Sequence, residues 1–259
     1  MTGASASLTV TDLRVEFDGF VAVGGVSFDA HPGEVRFLIG PNGAGKTTCI
    51  DAITGLSRGT GSVKLGDQEL LGTPTHKIVR LGVGRTFQTA SVFEQLSVLQ
   101  NLDIAAGLHR SAFSLLRVRR GVDPRIEETL EEIGLGGESA TPAGILSHGQ
   151  KQWLEIGMML VQDPRALLLD EPVAGMSQDE RTATGELLRR VAARRTVLVV
   201  EHDMDFMRRY ASRVTVLHQG TVLSEGTVAE VQSDPRVQEV YLGTAAARTT
   251  TATHQQKGA

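Results

Sequence analysis

Gly40-Pro41-Asn42-Gly43-Ala44-Gly45-Lys46-Thr47 is the stretch on which the reading of this 259-residue chain turns. It fits the spacing G-x-x-x-x-G-K-[ST], and its neighbours are the ones that spacing needs. The apolar run Val35-Arg36-Phe37-Leu38-Ile39 before it reads as a buried strand, and Thr47-Thr48-Cys49-Ile50-Asp51-Ala52-Ile53 after it as a helix. The glycines let successive backbone N–H groups turn inward around an anion. The helix N-terminus adds a partial positive charge, and Lys46 brings a full one to the β- and γ-phosphates. Thr47 offers a hydroxyl to Mg²⁺, and Thr48 continues the cradle. Strand before and helix after set the stretch apart from a flexible turn with a surface lysine. The pattern predicts a bound nucleoside triphosphate.

Working outward, Leu13, Val15 and Phe17, then Val21, Val23, Val26 and Phe28, alternate with polar residues. They predict antiparallel strands over 8–17 and 21–28, with Asp18-Gly19 at the turn. A second hairpin is expected over 62–71 around Gly66-Asp67. From Phe93 to about Leu160 the period becomes helical, interrupted by the glycine- and proline-rich loop 134–144. Buried strands at 166–169, 196–200 and 214–217 then alternate with helices, which indicates an α/β architecture with a parallel sheet. The tail 244–259, rich in Thr and Ala without an apolar period, is expected to be disordered.

Hydrophobic content of 41%, charged content of 22% and a net charge of −4 suit a soluble globular protein and argue against nucleic acid as the main partner. The one cysteine, Cys49, excludes an internal disulfide, suits a reducing compartment and sits where a buried core residue is expected. No apolar stretch reaches the roughly 18 residues that span a bilayer, and residues 1–7 carry no signal-peptide pattern. These features place the chain in the cytosol. No internal duplication is present, so one nucleotide-binding unit is expected.

A phosphate loop alone does not separate kinases, GTPases and ATPases. No Asn-Lys-x-Asp guanine-reading motif occurs, whereas Arg165-Ala166-Leu167-Leu168-Leu169-Asp170-Glu171 does. An apolar strand there delivers Asp170 to Mg²⁺ and sets Glu171 beside the γ-phosphate, where a carboxylate polarises the attacking water. Between the two elements lies Leu146-Ser147-His148-Gly149-Gln150, directly before a helix over 151–160.

With these motifs in this order the chain, from about residue 8 to 243, closely resembles the ABC-type ATPases. The resemblance implies a P-loop NTPase core with an antiparallel β subdomain and a helical subdomain over about 89–160. It implies that Ser147, Gly149 and the helix N-terminus behind them face the γ-phosphate of an ATP held by a second ATPase subunit. It also places Phe17 against adenine, Gln88 against Mg²⁺ or the water, and His202 against the γ-phosphate. Lys46, Glu171, His202 and Gln88 thus form the expected catalytic set, and Thr47, Gln88 and Asp170 the metal set. Ala174-Gly175-Met176-Ser177 matches the loop that crosses to the partner. Two departures stand out: His148 replaces the usual first glycine of the signature, and Ser177 the usual aspartate of the crossing loop. If the backbone at 148 needs positive φ, histidine costs something there; its side chain could also point away from the nucleotide.

Arg85-Thr86-Phe87-Gln88, Glu201-His202-Asp203-Met204 and Glu239-Val240-Tyr241-Leu242-Gly243 are similar to the ATPases of branched-chain amino acid importers. Within that group, residues 147–157 and 171–176 look most like the ATPase subunit of urea importers, which makes urea the expected cargo. Branched-chain amino acids or short amides are the alternative, and a soluble non-transport ABC ATPase a further one. The resemblance implies a second ATPase subunit (a heterodimer, with a homodimer left open), integral permeases contacted around 88–102, and indirectly a solute-binding protein. It also implies a peripheral position on the inner face of the cell membrane. The stretch 109–125 holds five arginines, Arg110, Arg117, Arg119, Arg120 and Arg125, and receives no site role.

Overall fold

The computed structural model describes residues 6–86, 91–107 and 123–241. The chain opens with β1 (Leu8–Phe17), β2 (Phe20–Ala30), β3 (Val35–Ile39) and α1 (Lys46–Ile53). There follow β4 (Thr60–Leu65), β5 (Gln68–Glu69), α2 (Thr75–Arg80) and β6 (Val83–Arg85). Among the described residues the α-helices that come next are α3 (Val98–Ala106), α4 (Pro124–Glu132) and α5 (His148–Leu160). The rest is β7 (Ala166–Asp170), α6 (Gln178–Ala192), β8 (Thr196–Val200), α7 (Met204–Tyr210), β9 (Arg213–His218), β10 (Thr221–Gly226) and α8 (Val228–Ser233).

The first hairpin turns at Asp18 (φ 47°) and Gly19 (φ 84°), with Phe17 opposite Phe20. Positive φ at both central residues gives the turn whose twist matches the strands it joins. β4 and β5 extend this hairpin into an antiparallel sheet of order β2-β1-β4-β5. The second sheet has the order β10-β9-β3-β8-β7-β6, with β9, β3, β8, β7 and β6 parallel. β10 runs antiparallel to β9 at its edge, so the sheet is mixed rather than purely parallel. That strand escapes the sequence pattern because every residue but Gly226 is half-buried or exposed, and an edge strand needs no continuous apolar run.

β3, β7 and β8 are buried at every residue, as strands covered on both faces must be. Val35, Phe37, Ile39, Leu167, Leu169, Val197 and Val199 enter one core together with residues of α3 to α7. Leu38, Ala166, Leu168, Leu198 and Val200 enter the other, with α1 and the antiparallel sheet. The period of two along each strand thus divides the molecule into two cores on opposite faces of one sheet. Cys49 lies in the second core, where burial pushes its thiol up to about 12.

The segment 134–144 is more ordered than a plain loop. It holds the 3-10 turn Gly136–Glu138 and leads into another, Ala143–Ile145, and is stitched to α3 by Val98 N–H to Thr141 O (3.0 Å) and Ala143 N–H to Leu96 O (2.9 Å). α3, α5, α6 and α8 each begin with a Ser or Thr N-cap and a Gln or Glu three residues on, the two side chains bonding each other's backbone N–H. Because Ser147 is such a cap, α5 begins at His148, three residues earlier than the apolar pattern suggests. Among the described residues no helix is long and apolar enough to cross a membrane. The arginines at 110–120 and the tail 244–259 lie outside the described residues.

Candidate nucleotide site

Strand register brings the motifs together. Leu38 of β3 and Asp170 of β7 both pair with Val200 of β8, so the three strands end side by side. Gly40 leaves the first, Glu171 the second, and Glu201 and His202 the third. A crevice at the carboxyl ends of parallel strands is where α/β sheets bind ligands.

Two glycines of the loop are required by geometry. Gly40 (φ 156°) lies so close to β9 that a Cβ would collide with the Leu217 carbonyl oxygen. Gly45 (φ 98°) caps α1, and a Cβ there would stand 2.6 Å from the Ala22 carbonyl oxygen. No side chain caps α1 and no acid occupies its first turn, so its leading N–H groups are turned to the loop rather than to a carboxylate. Lys46 Nζ donates to Gly40 O (2.8 Å) and Pro41 O (3.1 Å), which spans the ammonium across the cradle and leaves one of its three protons for an acceptor. Burial lowers the Lys46 pKa, while Glu171 and then Asp170 pull it up. Asn42, Gly43 and Thr47 are exposed, Pro41 and Thr48 half-buried and Ala44 buried.

Asp170 is 2% exposed. Burial raises its pKa; Arg85 opposes this, and Glu171 and Asp51 add to it. Its Oδ2 lies 3.9 Å from Arg85 Nη2, and its backbone N–H donates to Thr86 Oγ1 (3.1 Å). Arg85 is held in turn by Asp51 (2.6 Å) and by donating to Thr54 Oγ1 (2.9 Å). Asp170 Oδ1 is buried with no hydrogen-bond partner. An orphaned carboxylate oxygen within electrostatic reach of Lys46 fits a hard divalent cation that takes one or two protein ligands and completes its shell with phosphate oxygens and water. Among the described residues no group of three or more His, Cys, Asp or Glu forms an all-protein metal cage.

Glu171 is a non-glycine residue at φ 50°, a conformation costing about 1–2 kcal/mol. It is held there by its N–H to Val200 O (2.9 Å) and by Ala174 N–H to its own carbonyl (3.2 Å). The turn aims its carboxylate at His202, with Oε1 3.2 Å from Nδ1, and both side chains stay accessible to solvent. Behind the pair, Glu201 is buried and accepts from the N–H groups of His202 (3.0 Å), Asp203 (3.3 Å) and Val173 (3.3 Å). Burial raises the Glu201 pKa against those three bonds. One carboxylate therefore ties the loop after β7 to the loop after β8. Arg181 adds a second tie, an ion pair to Asp203 (2.5 Å) and a bond to Met176 O (3.2 Å).

Ser147 and Gly149 do not join this group. At the amino end of α5, the Ser147 hydroxyl donates to Glu180 (2.8 Å). His148 is the first helical residue and does not take positive φ, so histidine costs no backbone strain there. Its Nε2 lies 3.1 Å from Ala174 O, on the crossing loop. Ser177 caps α6, a role that any short polar side chain fills. Phe17 is 48% exposed at the end of the hairpin whose Ala22 lies beside Gly45, a flat apolar face open to a base. Gln88 lies outside the described residues.

Arg85, Thr86, Glu201 and Glu180 carry roles that the motif reading missed. Only Glu180 left a local signal, as the third residue after the cap Ser177.

The ABC transporter family profile matches residues 23–174, and a branched-chain amino acid ATP-binding cassette transporter profile matches 221–247. The high-affinity branched-chain amino acid transport ATP-binding proteins LivG of Escherichia coli K12 and BraF of Pseudomonas aeruginosa are each 36% identical over 250 residues, 92% of this chain and 98% of theirs. A probable LivG of Archaeoglobus fulgidus is 31% identical over 91% of this chain and 95% of its own. The crystal structure of the ADP conformation of an ATP-binding cassette of an ABC transporter superposes with a TM-score of 0.80 at 29% identity, covering 93% of this chain and all of that one. The chain belongs to the ABC transporter family, as a LivG-like ATP-binding subunit, and is an ATPase.

Proposed function

We propose that this chain is the ATP-hydrolysing subunit of an ABC importer whose cargo is branched-chain amino acids. The cargo rests on the names of its relatives, LivG and BraF, and on the match of residues 221–247. Urea, the cargo expected from residues 147–157 and 171–176, has no support among those relatives, whose names all specify branched-chain amino acids. The reading includes an ATPase domain over 8–243 with its helical segment about 89–160, a second ATPase subunit, and membrane permeases contacted through that segment. It sets the chain on the inner membrane face beside them.

The observation that carries the enzymology is the convergence of Lys46, Asp170, Glu171 and His202 on the ends of three adjacent strands. Gly40 to Thr48 hold the phosphates, with Pro41, Asn42, Gly43, Ala44 and Gly45 supplying backbone and Lys46 charge. Phe17 stacks on adenine. Thr47 and Asp170, with Gln88, would hold Mg²⁺, which would supply positive charge to offset that of the phosphates. Glu171 accepts a proton from the attacking water, and His202 fixes the orientation of that carboxylate and faces the γ-phosphate. Ser147 and Gly149 complete the partner's site, so ATP joins two subunits and hydrolysis releases them. The test is nucleotide binding and phosphate release by wild-type and Lys46→Ala protein with Mg²⁺ present. Loss of ATP affinity in the variant is expected; wild-type affinity would remove Lys46 from the phosphate site.

A further inference from the structure

Glu180 is bound as though it were the anion that the amino end of α5 is meant to receive. Its Oε1 accepts the Ser147 hydroxyl proton at 2.8 Å and lies over Gly149. Its Oε2 accepts from the N–H and the hydroxyl of Ser177, both at 2.9 Å. The fit over α5 is close: a Cβ at Gly149 would stand 2.5 Å from Glu180 Oε1, so the carboxylate lies directly against the helix turn that begins at Ser147. The Ser147 oxygen already accepts from Gln150 N–H (3.1 Å), which leaves its single proton as the only one it can give.

We propose that Glu180 is an internal competitor of the partner's ATP, holding the Ser147 hydroxyl and covering Gly149 until the γ-phosphate displaces it. A phosphate oxygen and a carboxylate are both acceptors, so the single Ser147 proton cannot serve both, nor can both anions occupy the space over Gly149. Two anions on one helix N-terminus also repel. Glu180 must therefore turn away when the two subunits close on ATP, and its carboxylate sets how much ATP closure requires. Because Glu180 also bonds Ser177, the last residue of the crossing loop, its release frees the start of α6 at the moment the signature is engaged.

This inference rests on the reading of Ser147 and Gly149 as contacts to the partner's nucleotide, and the test separates the two. ATP hydrolysis is followed against ATP concentration in the assembled transporter carrying wild-type, Glu180→Gln or Ser147→Ala chain. Glutamine keeps the capping arrangement of α6, so its melting temperature should match wild type. The expected result is that Glu180→Gln lowers the KM for ATP about fivefold without lowering kcat, the scale of one exposed charge contact removed. Ser147→Ala is expected to raise KM and slow turnover. An unchanged or raised KM in Glu180→Gln, with Ser147→Ala impaired, overturns the competition and leaves Glu180 a helix cap. A wild-type Ser147→Ala overturns the underlying reading of the signature, and the competition with it.

Discussion

Replacing Glu171 by Gln alters one charge and almost nothing else, which makes it the sharpest probe of the chemistry. The side chain keeps its length, the backbone keeps the positive φ set by the bonds to Val200 and Ala174, and the amide can still meet His202 Nδ1 across 3.2 Å. What is lost is the ability to take a proton from water. General-base assistance contributes about 10²–10⁴-fold, which corresponds to about 2.7–5.5 kcal/mol on the barrier. Gly40 to Thr48 are untouched, so ATP affinity should stay within about threefold, a difference below about 0.7 kcal/mol. The assay is phosphate release under saturating Mg-ATP, alongside equilibrium binding of ATP to the same preparation. A kcat within about tenfold of wild type would refute the assignment of Glu171 as base. A collapse of affinity with kcat retained would make it a binding residue instead.

Three further outcomes are expected. Gly45→Ala forces a Cβ to 2.6 Å from the Ala22 carbonyl at φ 98°, a strain above about 1–2 kcal/mol; thermal unfolding should fall by about 2–4 °C per kcal/mol, and an unchanged melting temperature would show that the loop relaxes freely. Asp170→Asn should stabilise the nucleotide-free chain near neutral pH while abolishing turnover. Burial raises the native Asp170 pKa above its ordinary 3.8, so the native state holds the extra proton and wild-type stability falls as pH rises through the raised native value. The advantage of Asn should grow across that window and vanish below the ordinary value; melting curves from acid to neutral pH that run parallel would contradict it. Phe17→Ala should weaken ATP binding several-fold, since aromatic contacts contribute about 0.5–1.5 kcal/mol beyond area burial, while Phe17→Trp should retain it; equal binding by all three would take the ring off the base.

What the sequence displayed and what it hid follow from distance along the chain. The phosphate loop, the Asp170-Glu171 strand end and the Ser147 cap are contiguous, so residue type and spacing expose them. Arg85 bonding Asp51 and reaching Asp170, Glu201 holding Val173, and Glu180 holding Ser147 all depend on which elements lie side by side. That order, β3 beside β8 beside β7 beside β6, is a property of the folded sheet and not of any local pattern. His148 shows the same limit at one residue: its departure from the usual glycine was visible, but its placement on Ala174 O required the crossing loop to be in position. The positive φ of Glu171 was equally hidden, since glutamate carries no preference for it. Cargo was the least legible property, because none of the residues assembled here would touch the solute.

Uptake of labelled leucine and labelled urea by cells carrying wild-type or Glu171→Gln chain tests the central claim most directly. Loss of leucine uptake in the variant, with urea uptake unchanged, is the predicted result. Leucine uptake that persists while ATP hydrolysis is lost would contradict it, and loss of urea uptake alone would return the cargo to urea.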